Sequence, residues 1–366
     1  MPIHLPPFRI EAVFTALAET IDWGLAAYHI PDHWKATRGQ GVKVAVLDTG
    51  INQTHPDLAT AIEQARDFTG SPFGAADRNG HGTHTSGTIA ARQNNLGVIG
   101  VAPNCRLLVG KVLGDDGSGS SATVAAGIDW ACQAGADIIS MSLGSPQPDD
   151  ALLAAIQRAA AQGKFVIAAA GNEGGDDSVN YPARWPQTIA VAAVDHNGQL
   201  ADFSSRGPEV CVAAPGEDVL STWLGGGYAK LSGTSMAAPF VAGVTALLVA
   251  LHRQGGAAQT PLATIDDLRD HLARTATDAG PAGKDPGYGW GLINPDSLLD
   301  EPPASTTPTN PVAPTTPPPG APNTPGTPSI PGGPTAPTTP PASEKSFVLG
   351  GISINGTAGV LVFQPQ

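Results

Sequence analysis

At 366 residues with a formal net charge of −13, the chain is long enough for one large or two medium domains with a sizeable core. The acidic balance argues against nucleic acid or an anionic membrane as partner, and its surplus carboxylates can serve calcium. Three cysteines, Cys105, Cys132 and Cys211, cannot all pair, so free thiols are expected, with no disulfide framework.

The start, Met-Pro-Ile-His-Leu-Pro-Pro-Phe-Arg, lacks the basic head, apolar core and small-residue cleavage site of a signal peptide. No run approaches the roughly 18 uninterrupted apolar residues of a membrane span. From residue 41 onward, apolar strand-like runs alternate with helical patterns. Strands are expected over 42–47, 106–112, 137–141, 164–170 and 188–194, and helices over 83–91, 122–134, 149–162 and 235–252. Strands apolar on both faces, with helices between them, predict a parallel sheet covered on both sides. After residue 300 the composition changes: 302–341 is rich in Pro and Thr and carries no charge, as in a disordered, stiffened spacer. Beyond it, Asn355-Gly356 between apolar runs signals a short β-hairpin, marginal alone and expected to dock on something.

Asp48 closes the first apolar run and precedes Thr49-Gly50. Ligands of open α/β sheets gather beyond the carboxyl ends of the strands, where a carboxylate can orient an imidazole; it can equally cap a turn. His81 opens His-Gly-Thr-His-Thr-Ser-Gly-Thr after the turn residues Asp77-Arg-Asn-Gly. Either His81 or His84 could be structural, and a metal reading of the pair is weak without the Glu of the zinc-protease pattern. Asn172, in Ala-Ala-Ala-Gly-Asn-Glu-Gly, is a turn residue or an amide donor to an oxyanion. Ser235, in Ser-Gly-Thr-Ser-Met-Ala-Ala-Pro, starts a helix as its N-cap, or as a nucleophile whose developing oxyanion the helix N–H groups favour. Each residue alone has a structural alternative; the four together do not. The order Asp, His, Ser is one of three chain orders of serine hydrolases.

These motifs resemble those of the subtilisin-like serine peptidases (subtilases), from about Ile21 to Pro295. The resemblance implies a three-layer α/β/α fold with a mainly parallel central sheet. It implies that Asp48 orients His81, that His81 is general base and then acid, and that Ser235 attacks the scissile carbonyl, with Asn172 and the Ser235 N–H holding the oxyanion. Gly117-Ser118-Gly119 and Ser142-Leu143-Gly144 match the family's two substrate-flanking segments, and backbone pairing of that kind implies broad specificity. The S1 pocket is implied between 142–145 and Ala169, Ala170 and Gly171, with Glu173 at its rim. Asn180 stands at its base, where the family often has Gly or Ser. Large apolar P1 residues are the implied preference, although Asn180 could narrow the pocket or make it more polar, and Glu173 could tolerate basic ones.

Calcium is the implied ion. Asp57 matches the family's calcium carboxylate and 92–98 its calcium loop. The ligands would be Asp57, the Asn94 side chain and the carbonyls of Arg92, Leu96 and Val98, with Glu19 where the family commonly offers Gln. A hard, oxygen-only set of this kind suits Ca²⁺; an ordinary hydrogen-bonded loop is the alternative. A weaker second cation site is suggested at the carbonyls of Ala183, Trp185 and Thr188.

The sequence departs from the family at Phe240, where a His is common after Pro, and no folded pro-domain is expected before Ile21. Instead His4-Leu-Pro-Pro-Phe-Arg resembles the short extension of intracellular subtilisins, which crosses and blocks the active site until it is clipped. Residues 5–8 are expected to do the same, or else to fray. The chain thus divides into an extension (1–17), a peptidase domain (18–300), a linker (301–343) and a hairpin tail (344–366). The expected activity is that of a serine endopeptidase acting on proteins or peptides, rising as its histidine base deprotonates and persisting into alkaline pH. A silent peptide-binding scaffold and a peptide ligase or macrocyclase are the alternatives. The expected location is cytoplasmic, with secretion as the alternative; neither nucleic acid nor membrane is expected as partner, and the oligomeric state is not legible.

Overall fold

The computed structural model describes residues 1–15, 17–255 and 261–300; the Pro/Thr-rich linker and terminal hairpin lie outside the described residues. In chain order the first elements are β1 (Pro2–His4), β2 (Arg9–Phe14), α1 (Trp23–Ala27), α2 (Ile30–His33), β3 (Lys43–Asp48) and β4 (Ile62–Asp67). Next come α3 (His81–Ala90), β5 (Arg106–Lys111), β6 (Ser118–Ser120), α4 (Ser121–Gln133), β7 (Ile138–Met141), α5 (Asp150–Ala161) and β8 (Phe165–Ala169). The last are β9 (Ile189–Val194), β10 (Val210–Pro215), β11 (Val219–Thr222), β12 (Tyr228–Ser232), α6 (Thr234–Arg253), α7 (Ile265–Thr275) and α8 (Pro295–Leu299).

The apolar runs become a seven-stranded sheet in the order β10-β9-β8-β7-β3-β5-β4, with every neighbouring pair parallel. Successive side chains of a strand point to opposite faces. Val44 and Val46 therefore join one core cluster, with Ile89 of α3 and Val241 and Leu247 of α6. Ala45 and Leu47 join another, with Val124 and Ile128 of α4 and Ile156 of α5. Both faces of β3 are thus buried, which makes three layers and explains why the strands read as unbroken apolar runs. α6 is twenty residues long and apolar enough to cross a membrane, yet its apolar window is wholly buried inside the fold: it is the central core helix.

This topology places the site. From β3 the chain first builds β4 and β5 on one side, then crosses β3 and builds β7 to β10 on the other. The direction of growth reverses around β3, so a crevice opens beyond the carboxyl ends of β3 and β7. Asp48 is the last residue of β3, and Ser142 follows the last residue of β7. A separate three-stranded antiparallel sheet, β11-β12-β2, lies beside α3 and leads through Gly233 into α6.

Candidate active site

Asp48 is 1 % exposed and His81 wholly buried. The His81 Nδ1 lies 2.8 Å from Asp48 Oδ1 and 3.1 Å from Oδ2. Asp48 also accepts the Thr49 N–H at 2.7 Å and the Thr85 hydroxyl at 3.3 Å. Asp77 fixes this geometry. Its Oδ1 accepts the Thr49 hydroxyl at 2.9 Å and the N–H groups of Asn79 and Gly80; its Oδ2 accepts the Thr83 N–H at 2.9 Å and hydroxyl at 2.7 Å. One carboxylate thus caps the first turn of α3, where Gly80 has no side chain to do so, and clips that turn to the end of β3. Lys111, paired with Asp48 across β3 and β5, is fully buried; its ammonium donates to Thr49 O and pairs with Asp115 at 2.9 Å.

Asn172 follows β8, and its orientation is set by its partners. The Oδ1 accepts the Thr234 N–H at 2.8 Å and hydroxyl at 2.7 Å, which turns the NH₂ into the crevice. A Cβ on Gly233 would stand 2.9 Å from Asn172 Nδ2, so only glycine leaves that donor clear. Ser235 is the second residue of α6. Pro239, four residues on, has no N–H for the Ser235 carbonyl; the Ser142 hydroxyl donates to it instead at 2.9 Å. The proline thereby ties the Ser235 backbone to the segment after β7. Ser235 Oγ and His81 Nε2 are both buried and neither has a hydrogen-bond partner among the described residues.

The N-terminal segment fills the crevice. β1 pairs antiparallel with β6, Ile3 opposite Gly119 and His4 opposite Ser118. On its other side His4 exchanges both backbone bonds with Gly144, at 3.0 and 2.9 Å, and Leu5 N–H donates to Gly117 O at 3.1 Å. Residues 2–5 therefore lie as a strand between Gly117, Ser118 and Gly119 and the segment Ser142, Leu143 and Gly144. Ile3 is buried in the cluster that contains Leu113, Leu143 and Trp185. The chain then turns through Pro6 and Pro7, and Asn172 Nδ2 donates to Pro7 O at 2.6 Å. The Phe8 ring covers His81, with centroids 4.9 Å apart.

A buried Asp–His pair, a serine at a helix start, an inward amide and a strand-lined crevice meet at one sheet edge. The sequence model of the Subtilase family matches residues 39–291. This chain is a subtilase. It is 44 % identical over 285 residues to "Alkaline protease" of Alkalihalobacillus alcalophilus, covering 78 % of this chain and 71 % of the relative. It is 44 % identical over 278 residues to "Subtilisin Savinase" of Lederbergia lenta (76 % and 98 %). It is 46 % identical over 254 residues to "Intracellular serine protease" of Paenibacillus polymyxa (67 % and 78 %). The subtilase is accordingly a serine endopeptidase, a hydrolase of protein or peptide substrates, with the expected α/β/α fold around a parallel sheet.

Beside the crevice, Asn180 N–H donates to Ala170 O at 2.9 Å, and Ser145 exchanges backbone bonds with Tyr181. This brings Ser142–Gly144, Ala169–Gly171 and Asn180 around one space. The Asn180 amide donates to Glu173 Oε1 at 2.8 Å and the Ser205 hydroxyl to Oε2 at 2.9 Å. A Cβ on Gly171, whose φ is +121°, would stand 2.5 Å from Glu173 Oε2. The carboxylate therefore reaches over Gly171 from the rim.

Calcium binding is general among subtilases, and the residues read from the sequence do converge. Asp57 is fully buried; its Oδ1 accepts the Asn94 amide at 3.0 Å, its Oδ2 the Val98 N–H at 3.1 Å. Glu19 accepts the N–H groups of Asn94 and Asn95 at 2.9 and 2.7 Å, and Arg92 N–H donates to Asp57 O at 2.8 Å. No group of three or more His, Cys, Asp or Glu side chains stands ready for a metal among the described residues; an ion here leans on amide and carbonyl oxygens. The donor types fit a hard cation. Asn94, however, turns its nitrogen to Asp57 while its oxygen accepts Leu96 N–H at 2.9 Å, so turning this amide over is what would present its oxygen. At the second suggested cation position the Thr188 hydroxyl lies 3.0 Å from Ala183 O and 2.8 Å from Trp185 O, and the Arg269 guanidinium donates to Thr188 O at 3.2 Å.

The cysteines are unpaired: Cys105 and Cys211 are buried, Cys132 is half-buried. Burial pushes the first two thiols up to about 12 and about 11, which leaves them inert. Sequence reasoning missed Asp77, Thr234 and the Ser142–Ser235 tie. The turn Asp77-Arg-Asn-Gly was visible as a turn, but nothing local says that its carboxylate reaches Thr49.

Proposed function

We propose that Asp48, His81 and Ser235 carry the peptidase chemistry, with Asn172 and the Ser235 N–H as oxyanion donors. Ser235 Oγ attacks the scissile carbonyl carbon while His81 Nε2 takes its proton, and Asp48 stabilises the imidazolium. The tetrahedral oxyanion sits on Asn172 Nδ2. Its collapse expels the amine, which takes the proton from His81; water then resolves the acyl-enzyme by the same steps in reverse. The observation that carries this reading is the Pro7 carbonyl on Asn172 Nδ2 at 2.6 Å, reached by a strand that runs between Ser118–Gly119 and Gly144. A peptide carbonyl and a peptide strand stand where a substrate's would.

The same contacts support residues 1–17 as an inhibitory extension on a peptidase domain of residues 18–300. While Phe8 covers His81, Nε2 and Ser235 Oγ make no bond to each other, so the nucleophile is not activated. Broad specificity follows from backbone pairing. Large apolar P1 residues enter a pocket whose base Asn180 narrows, its amide tied to Glu173. A structural Ca²⁺ is proposed at Asp57, Asn94 and the carbonyls of Arg92, Leu96 and Val98, with Glu19 completing it, where it would brace the loop against thermal unfolding. The cytoplasm is the favoured location, from the resemblance to the intracellular branch.

The test compares the full chain with one lacking residues 1–17 on a peptide library, with and without EDTA. The shortened chain should cut at once, and the full chain only after a lag that ends when its N-terminus is clipped. Equal initial rates without clipping would remove the inhibitory role. Failure of a fluorophosphonate to label Ser235 in either chain would remove the triad.

A further inference from the structure

The segment that crosses the crevice does not end at His81. Past Phe8 it becomes β2 and adds a third strand to β12, antiparallel, with Arg9 opposite Ser232, Ile10 opposite Leu231, Ala12 opposite Lys230, Val13 opposite Ala229 and Phe14 opposite Tyr228. The register slips at Glu11, whose carboxylate accepts the Ser232 hydroxyl at 3.2 Å. Side chains contribute little at the start of this strand. Arg9, Ile10 and Glu11 are exposed, and Ala12, Val13 and Phe14 only half-buried. Backbone bonds hold it, with apolar help at its two ends. Phe8 and Val13 touch the cluster of Val219, Ala229, Leu231 and Met236, and Phe14 touches the one that holds Tyr228.

With Pro7 O on the oxyanion donor, Phe8 occupies the place of the first residue after the bond to be cut. Arg9 to Phe14 then occupy the second to seventh primed places. If β2 leaves, β12 becomes an edge strand with a free ladder. Its other side stays paired to β11, and it runs directly into Gly233 and Ser235.

We propose that β12 is a docking edge for the primed side of the substrate. The occupant is a polypeptide whose stretch after the scissile bond is extended and unpaired; it adds a strand along Tyr228–Ser232 in place of β2, out to about the seventh primed residue. The edge reads backbone, and it favours apolar side chains at the first, sixth and seventh primed places, where Phe8, Val13 and Phe14 stand. Unfolded chains are thereby selected over folded ones and over short peptides. The proposal rests on the reading of residues 2–8 as a stand-in for substrate.

The experiment uses the full chain, assayed once the lag has ended, and two fluorogenic peptides with the same unprimed half, one with two primed residues and one with seven. A third and a fourth carry N-methyl groups on alternate primed amides beyond the second. kcat/KM should rise at least about tenfold from the short to the long peptide, the size expected for a few added main-chain bonds. One N-methyl series should abolish the gain and the other spare it, because alternate N–H groups of a strand face its neighbour. The Ile10→Pro, Val13→Pro chain, whose β2 cannot keep its ladder, should gain more on the long peptide than on the short one. A chain that fluorophosphonate labels but that treats short and long peptides alike, or cuts neither, overturns the docking edge and leaves the peptidase reading standing. A chain that is not labelled and cuts neither overturns both.

Discussion

His81 and His84 stand one turn apart on α3, both without exposed surface, and they face different regions of the molecule. His81 looks toward the end of β3, where the Asp48 carboxylate holds its Nδ1. Its Nε2 has no hydrogen-bond partner among the described residues. His84 looks toward the small sheet. Its Nε2 donates to Val219 O at 3.0 Å and Ala229 O at 3.1 Å, and Trp223 packs edge-on to its ring. The difference lies in the partner. A carboxylate stabilises an imidazolium, as the role proposed for His81 requires. Two carbonyls fix a neutral tautomer, and burial pushes the His84 pKa down to about 3. One residue type on one helix thus meets a carboxylate at one face, where the chemistry is proposed, and joins α3 to β11 and β12 at the other.

The largest effects should fall on the His81 side. His81→Ala and Ser235→Ala should each lower kcat by about 10⁴-fold or more and leave a cooperative unfolding transition. A variant that keeps within about tenfold of full activity would break the division of labour between the two faces. His84→Ala should do the reverse. It removes the N–H that reaches the Val219 and Ala229 carbonyls and opens a cavity, a loss of about 1–3 kcal/mol of folding stability. Urea unfolding measures that loss, while kcat per labelled active site should stay near that of the unaltered chain. A His84→Ala protein with unchanged stability and lost activity would move His84 into the chemistry.

The residues on the two sides of α3 were unequally legible in the sequence. Asp48, Asn172 and Ser235 stood out as candidates because each is a reactive or donor side chain beside an apolar run and a Gly-containing turn, and His81 because it opens a helix of small residues after the turn Asp77-Arg-Asn-Gly. β3, β5, β7, β8 and β9 were legible because burial on both faces forces an unbroken apolar run, and α3 to α6 from the helical patterns between and after those runs. β1, β2 and β6 were not. Pro2–His4 and Arg9–Phe14 carry no strand pattern of their own, and they are strands only because the crevice and β12 offer them a ladder. The role of His84 was left open for the same reason. Its partners are carbonyls 135 and 145 residues away, and a carbonyl has no sequence signature. The contacts of Asp77 to Thr49 and of Ser142 to Ser235 are hidden likewise: tertiary packing sets them, and nothing local does.

The smallest predicted effect sharpens the comparison most, because it sets buried groups against one another by sign. Below the ordinary imidazole value of 6.5 the unfolded chain protonates His84, whereas the folded chain resists until about 3. The unfolded state then binds more protons, so this residue makes stability fall as pH falls across that window. Burial also lowers His55, which leans the same way. Asp22 leans against them. Burial raises its carboxyl from 3.8 to about 6, despite N–H donors at Gly24 and Leu220, each at 2.9 Å. The folded chain takes up this proton first as pH falls through 6, which adds relative stability down to 3.8. His29, raised by the Asp296 carboxylate beside it, leans with Asp22: its contribution is present below 6.5 and fades as pH rises through its folded value. Glu217, raised by burial, leans with Asp22 as well; urea midpoints from about pH 7 to about pH 5 read the balance and stay above most of the range where the exposed carboxylates titrate. The unaltered chain should lose stability across this range; His84→Ala should flatten or reverse that slope, and Asp22→Asn should steepen it. Parallel curves for the unaltered and His84→Ala chains would mean that the ring is protonated in the fold after all. The contrast between the two faces of α3 would then rest on Asp48 alone.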